Sequence, residues 1–476
     1  MSRRLNLSTS PVDLARLVLA SVDGDVLFFD SQITASAHAR WSMLMWDPGC
    51  WLEESPVGSG RIVERPSGRV VEDVPAWMRQ AHGQDTASTA SVGLPFCGGL
   101  AGFWGYECGA YLDDLRAELP RDDSPLLWVG AFEGALIFDH HEGDWWASGT
   151  PAWIEGAMAW LDAQGAGEAS EPEVIDVAER RPVAIHEVEG EVYRRGVRAG
   201  VEAIFEGELF EVNYSERWGA TWKAGGWELY RRLRDAAPGP YGGLVRAGAT
   251  TIASVSPEQF VEVRQGGRVQ TRPIKGTRPR GASSEEDAKL AAELCASAKD
   301  RAENVMIVDL MRNDLTRVCE PGSVEVSELC GLHSFASVHH LISTVEGRLA
   351  SGADALDVLT ACFPAGSITG APRLRAMEWI AANEASARGP YTGSMFYWSA
   401  DGNFDSNVLI RTATLTGHRV RYGAGGAVVA DSDPAGEWEE ARWKARPLFN
   451  ALGILVEGGG SPADRAAVAE EVDDEG

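Results

Sequence analysis

The chain has 476 residues, 44% hydrophobic and 24% charged, a globular composition with room for two or three domains or one large core. Its formal net charge of −27 argues against nucleic acid and anionic membranes as partners, and an anionic substrate would need a metal ion or placed arginines to attract it locally. No apolar run reaches the roughly 18 to 20 residues of a bilayer span, and the seven cysteines are scattered with no C-x-x-C pair, so neither zinc nor a disulfide framework is indicated and a cytoplasmic setting is expected.

To about Leu161 the chain alternates short strand patterns with glycine turns, as at Val26 to Phe29, Gly98 to Tyr106 and Leu126 to Phe138. Residues 162–185 are rich in Ala, Gly, Glu and Pro without periodicity, which reads as a linker between an N-terminal segment (1–161) and a second domain (186–453). A helical pattern runs from His186 to about Phe205, and strands and helices then alternate to Leu452. Lys275, in Pro273-Ile274-Lys275-Gly276-Thr277, is one of only five lysines, with Lys223, Lys289, Lys299 and Lys444. Arginine carries nearly all the positive charge and stays protonated, whereas lysine can lose its proton and become a nucleophile. Taken alone, the pentapeptide suits a solvated strand-end lysine equally well.

Ser284, with Asp287 three residues on, gives a capping-box-like start to a helical pattern that continues through Lys299 to Leu310. Asp433-Pro434 opens another helix, an N-cap followed by proline at the first position, which ends near Gly453. Asp300 and Glu303 are three apart on the first, Glu437 and Glu440 three apart on the second, so each pair shares a helix face. Four carboxylates brought together would need a hard divalent cation such as Mg²⁺; separately, each pair is an ordinary wet surface. The loop Phe363 to Pro372, containing Ser367, Thr369 and Gly370, can offer N–H groups and hydroxyls to an anion or be merely a tight connection. His340, after His339, suits a structural role. Arg411 lies on the strand-like run Val408 to Thr412, where an unpaired charge is costly, so it should meet a carboxylate from the protein or from a ligand. Gly423-Ala424-Gly425-Gly426 reads as a flexible approach to the second acidic helix, and residues 457–476 as a disordered acidic tail.

Five of these segments, in order, resemble the chorismate-utilising enzymes: anthranilate synthase component I, aminodeoxychorismate synthase component I, and the isochorismate and salicylate synthases. They are Ser256-Pro257-Glu258-Gln259-Phe260, the Lys275 pentapeptide, Arg301-Ala302-Glu303-Asn304 through Arg312-Asn313-Asp314, Gly366-Ser367-Ile368-Thr369-Gly370-Ala371-Pro372, and Asp431-Ser432-Asp433-Pro434 with its acidic helix. The likeness covers Val192 to Leu452 and extends more weakly through Phe96-Cys97-Gly98-Gly99 and Gly105-Tyr106-Glu107. It implies an α+β fold, a large α/β sandwich of two mostly antiparallel sheets face to face with helices outside, the N-terminal segment intertwined with the chorismate-binding part.

Within the family, the position of Lys275 is alanine in Pro-Ile-Ala-Gly-Thr of anthranilate and isochorismate synthases, and lysine there marks the aminodeoxychorismate type. Glu211 stands where isochorismate-type members carry a water-activating lysine and aminating members usually a glutamine; Arg373 and Glu216 are smaller departures. The resemblance implies that Lys275 attacks C2 of chorismate while Glu258 protonates the leaving C4 hydroxyl, with His340 positioning the ring or moving a proton. Arg411 and Tyr391 would hold the enolpyruvyl carboxylate, helped by backbone at Gly425 and Gly426. Glu303 and Glu440, with Asp300 and Glu437, would hold Mg²⁺ against the ring carboxylate. Ammonia would come from a separate glutamine amidotransferase subunit, because the chain has no Gly-x-Cys-x-Gly nucleophile elbow. The product would lead to p-aminobenzoate and folate or to a related secondary metabolite. Leu27 to Ser31 resembles the family's tryptophan-pocket strand, with Ser31 its candidate contact. Anthranilate synthase component I, or a non-catalytic chorismate- or tryptophan-binding paralogue, are the alternative readings.

Overall fold

The computed structural model of the protein describes residues 1–33, 39–84, 93–112, 119–165, 185–186, 189–335 and 338–454. Most of the expected linker and all of the expected acidic tail lie outside these residues. Among them, two antiparallel sheets of 12 and 11 strands form the frame. The first runs in the order Ser2–Leu5, Asp144–Gly149, Gly134–Asp139, Trp41–Trp46, Val26–Asp30, Tyr241–Ala247, Thr250–Ser256, Thr412–Thr416, Arg419–Val428, Glu211–Thr221 and Ile185–His186, with Gly370–Ala371 also paired to Glu211–Thr221. The second runs Ile274–Pro279, Val338–Arg348, Arg268–Thr271, Gln259–Arg264, Phe404–Asn407, Ser394–Ser399, Gly99–Trp104, Leu127–Phe132, Cys50–Glu54 and Ile62–Arg65, with Glu325–Ser334 on Val338–Arg348.

Strands from both halves of the chain therefore share both sheets. They join where Phe28 faces Leu244 in the first and where Gly102 faces Phe396 in the second. Leu27, Met43 and Val245 of the first sheet pack with Phe103, Trp128 and Met395 of the second in one buried cluster, so the sheets lie face to face. Val26 and Phe28 point the other way, into the layer under the helices, where Phe28 meets Tyr230 edge-on at 6.1 Å. Burial on both faces is why these strands read as continuous apolar runs rather than as alternation. The Leu126 to Phe138 run divides at Glu133: Leu127–Phe132 belongs to the second sheet and Gly134–Asp139 to the first.

Two expectations are corrected. The helix expected from Ser284 is capped by Ser283, whose side chain accepts the Glu286 N–H, and it ends at Ala296. A new helix, Ala298–Thr316, starts there because the Ser297 side chain caps the Asp300 N–H, a local competitor that an unbroken helical pattern hides. Asp287 instead accepts from Arg280 and the Gly281 N–H. The Gly423 to Gly426 stretch is not a flexible approach but the middle of strand Arg419–Val428. Helix Pro434–Ala451 opens as expected, on Asp433 with proline in its first turn. Trp438 on that helix stacks on Trp218 and packs on Tyr193, holding it against strand Glu211–Thr221 and helix Gly190–Phe205. No helix among the described residues is long and apolar enough to cross a membrane.

Candidate active site

Lys275 lies on Ile274–Pro279, whose pairing with Val338–Arg348 shifts register between Ile274 and Thr277. Gly276 supplies the left-handed backbone for this bulge, at φ 85°, and a bulge re-aims the neighbouring side chain. The Lys275 side chain is 11% exposed, with Nζ 3.3 Å from Oε1 of Glu211, itself fully buried. Nζ also donates to the Ser367 carbonyl at 3.3 Å. Burial alone would push the lysine's pKa down, yet Glu211, Glu303 and Glu258 together hold it above the usual lysine value.

Glu258 follows strand Thr250–Ser256 and is fixed at its backbone, where Val408 N–H donates to its carbonyl at 3.1 Å. Its carboxylate accepts from Ser367 Oγ at 2.9 Å. Burial pushes its pKa up to about 7, against the opposing pull of Ser367, Lys275 and Lys444. The Ser367 loop is thus a shared wall: its hydroxyl meets the acid and its carbonyl meets the lysine. Thr369 is fully buried, with its carbonyl accepting from Asn213 N–H at 3.0 Å, and Gly370 pairs with Val212 at the start of the Glu211 strand.

Arg411, at φ 50° just before Thr412–Thr416, meets no carboxylate among the described residues. Burial pushes its pKa down, and Tyr422 is what opposes that shift. His340 Nδ1 is 2.9 Å from Thr277 Oγ1; burial, then the Arg411 charge, push its pKa down to about 4, so the imidazole is neutral near pH 7. Tyr391 is buried, its ring beneath the Arg217 guanidinium at 5.0 Å and against Gly423.

The acidic residues come from both helices, but not as an unoccupied quartet. Asp300 pairs with Arg278 at 3.2 Å, Lys299 sits 3.9 Å from Glu303, and Lys444 is 2.7 Å from Glu440 while donating to the Gly425 carbonyl at 2.9 Å. No group of three His, Cys, Asp or Glu able to hold a metal ion occurs among the described residues as they stand. Even so, the donor chemistry suits a hard cation. A Cβ at Gly426 would lie 2.9 Å from Glu437 Oε2 and 3.5 Å from Glu440 Oε1, so this glycine faces both carboxylates. Burial and then Glu440 raise the Glu437 pKa, while Lys444 lowers that of Glu440; the two ammonium groups occupy the role of a cation.

Sequence reasoning missed these lysines, although Lys299–Glu303 and Glu440–Lys444 are legible as i,i+4 pairs. It also missed the buried support behind the loop. Arg388 and Glu384, 1% and 2% exposed, pair at 2.6 Å, and Arg217 joins Glu384 at 2.8 Å. Arg388 further donates to the carbonyls of Ile368 at 2.8 Å and Asn213 at 2.6 Å. Glu107 accepts the N–H groups of Arg388 and Gly389 at 2.7 and 2.9 Å, tying the N-terminal half to the same wall. Ser31 lies apart from Lys275, lining a cavity of about 60 Å³ with Phe29, Tyr241, Met395 and Tyr397.

A buried lysine beside a protonatable acid, with an arginine that meets no carboxylate among the described residues, marks a candidate site for an anionic ligand. The comparisons agree. A family model described as chorismate binding enzyme matches residues 44–450. Aminodeoxychorismate synthase component 1 of Klebsiella aerogenes is 42% identical over 75% of this chain and 78% of its own length. Anthranilate synthase component 1 of Mycolicibacterium smegmatis is 36% identical over 94% and 88%. The crystal structure of anthranilate synthase component I from Streptococcus pneumoniae TIGR4 superposes with a TM-score of 0.76 at 29% identity, covering 87% of this chain and 93% of that one. The chain belongs to the chorismate-utilising enzyme family.

Proposed function

We propose that the protein is an aminodeoxychorismate synthase component I, converting chorismate and ammonia to 4-amino-4-deoxychorismate through a covalent bond from Lys275. The observation that carries this is the placement of the Lys275 amine 3.3 Å from Glu211 and within the electrostatic reach of Glu258, an acid whose pKa burial pushes up to about 7. In its neutral form Lys275 forms a bond to C2 of the ring, the C1–C2 and C5–C6 double bonds shift to C1–C6 and C4–C5, and the C4–O bond breaks. The proton from Glu258 goes to the departing oxygen, which leaves as water. Ammonia then bonds to C4, both double bonds return to C1–C2 and C5–C6, and the C2–N bond breaks to release Lys275. The enolpyruvyl ether is retained throughout.

Chorismate is a dicarboxylate, and Arg411, with Tyr391 beside it, would hold the enolpyruvyl carboxylate, supported by backbone at Gly425 and Gly426. Ser367, Thr369 and Gly370 would close over the ring, and the neutral His340 would position it. Glu303 and Glu440, aided by Glu437 and Asp300, would hold Mg²⁺ once Lys299 and Lys444 swing aside. The ion would neutralise the ring carboxylate, which this acidic protein otherwise repels. A separate glutamine amidotransferase subunit would supply ammonia, a reading supported by the "component 1" naming of the relatives.

Two tests follow from these roles. With chorismate, Mg²⁺ and ammonium salt, chorismate consumption is expected without pyruvate release, read by a lactate dehydrogenase couple; stoichiometric pyruvate would instead mean anthranilate formation. Glu258→Gln cannot donate the proton and should lower kcat by about 10²–10⁴-fold. The wild-type limb assigned to Glu258 should fall as pH rises past about 7, where that carboxyl loses its proton. A Glu258→Gln enzyme within threefold of wild type, a bound of about 0.7 kcal/mol, would remove Glu258 from the proton path.

A further inference from the structure

Glu211 is a residue the proposed chemistry does not yet use. It opens strand Glu211–Thr221 and has no exposed surface. One carboxylate oxygen faces Lys275 Nζ at 3.3 Å. The other, Oε2, is buried without a hydrogen-bond partner, and a buried acceptor left unpaired is unfavourable unless something fills it during the cycle. Lys275 must become neutral before it can attack. Its second contact, the Ser367 carbonyl, cannot take up a proton. Glu258 is held by Ser367 Oγ and has its own proton to give. Glu303 contributes its charge to Lys275 but shares Lys299 on its own helix.

We propose that Glu211 is a catalytic residue that takes the proton from Lys275, creating the neutral amine that attacks the substrate. The N–H bond of the Lys275 ammonium breaks, its electron pair stays on nitrogen as the nucleophilic lone pair, and the proton becomes the hydroxyl of a neutral Glu211 carboxylic acid. When Lys275 is later released as an amine, the same proton returns and restores the ion pair. Burial favours this transfer at the moment of attack, because it converts two buried charges into two neutral groups. A glutamine amide at this position could hold the lysine but could not take up its proton. The inference rests on the covalent role proposed for Lys275.

The test compares Glu211→Gln with wild type at saturating chorismate, Mg²⁺ and free ammonia across pH 6.5–9.5. Lys275 of the variant must give its proton to solvent. The expected result is a kcat lowered by about 100-fold at pH 7, little change in KM for chorismate, and a variant-to-wild-type ratio that climbs by up to about tenfold per pH unit. The ratio cancels the Glu258 limb shared by both enzymes and the common responses of Glu303 and His340. A ratio independent of pH, or a wild-type kcat in the variant, would overturn the assignment. If Glu211→Gln does not fold, Glu211→Ala is assayed with added formate: restored kcat supports the role, and no restoration overturns it. Lys275→Ala is run in parallel. If it keeps wild-type turnover, the covalent reading has failed; if it is inactive while the Glu211→Gln ratio stays flat, only the role of Glu211 has failed.

Discussion

Lys275→Ala is expected to lower amination of chorismate by at least about 10³-fold in kcat, with the protein folded and chorismate still bound. The reason is geometric. The bulge at Gly276 aims this side chain between the two sheets, where Nζ lies 3.3 Å from both Glu211 and the Ser367 carbonyl. No other lysine occupies that place: Lys299 and Lys444 sit against Glu303 and Glu440 at the helices. With the dianion bound by Arg411 and the loop as proposed, removing the amine should change KM far less than kcat. Steady-state kinetics with ammonium salt reads the split. A variant with wild-type kcat would mean that the lysine only tunes the site's charge.

The largest expected effect on stability lies behind the site. Arg388→Met should destabilise the protein by about 3–5 kcal/mol, the usual consequence of removing one partner from a buried ion pair. Methionine can fill the volume but cannot replace the donors to Glu384, Ile368 and Asn213. Glu384 keeps Arg217 and Ser215, which moderates but does not abolish the loss. Urea unfolding followed by tryptophan fluorescence measures it; a loss under about 1 kcal/mol, typical of a surface pair, would contradict the assignment. The sign with pH is determinate. Burial alone would raise the Glu384 pKa, but Arg388 and Arg217 bring it below the ordinary value. Its stabilisation is therefore present above the usual glutamate pKa of about 4.3 and lost as pH falls through the lower folded value. The gap between wild type and Arg388→Met should narrow in acid.

Lys275, Glu258, Arg411 and the acidic pairs each sit in a short motif, and the order of those motifs, through the family resemblance, singles them out as candidates. Arg411 adds a lesson about burial: a charged residue in an apolar run had to meet an anion, and no protein carboxylate fills that role among the described residues. The Arg388 support could not be read the same way. Its partners Asn213 and Glu107 are 175 and 281 residues away, so local pattern gives no hint that they meet. Similarly, Gly423 to Gly426 looked like a loop because glycine usually loosens a strand. The structure uses glycine there for close approach, against Tyr391 at Gly423 and the acidic helix at Gly426. The break at Ser297 was hidden by a helical pattern that runs through it, since one serine cap is enough to restart a helix.

The most direct test of covalent amination at C4 is the position of nitrogen in the product. Wild-type enzyme, chorismate, Mg²⁺ and ¹⁵N-ammonium salt are incubated together, and the product is examined by NMR. The account predicts ¹⁵N bonded to C4 of a ring that keeps its enolpyruvyl ether, with no such product from Lys275→Ala. Nitrogen at C2 of an aromatic ring, with pyruvate released, would contradict it and make the protein an anthranilate synthase component.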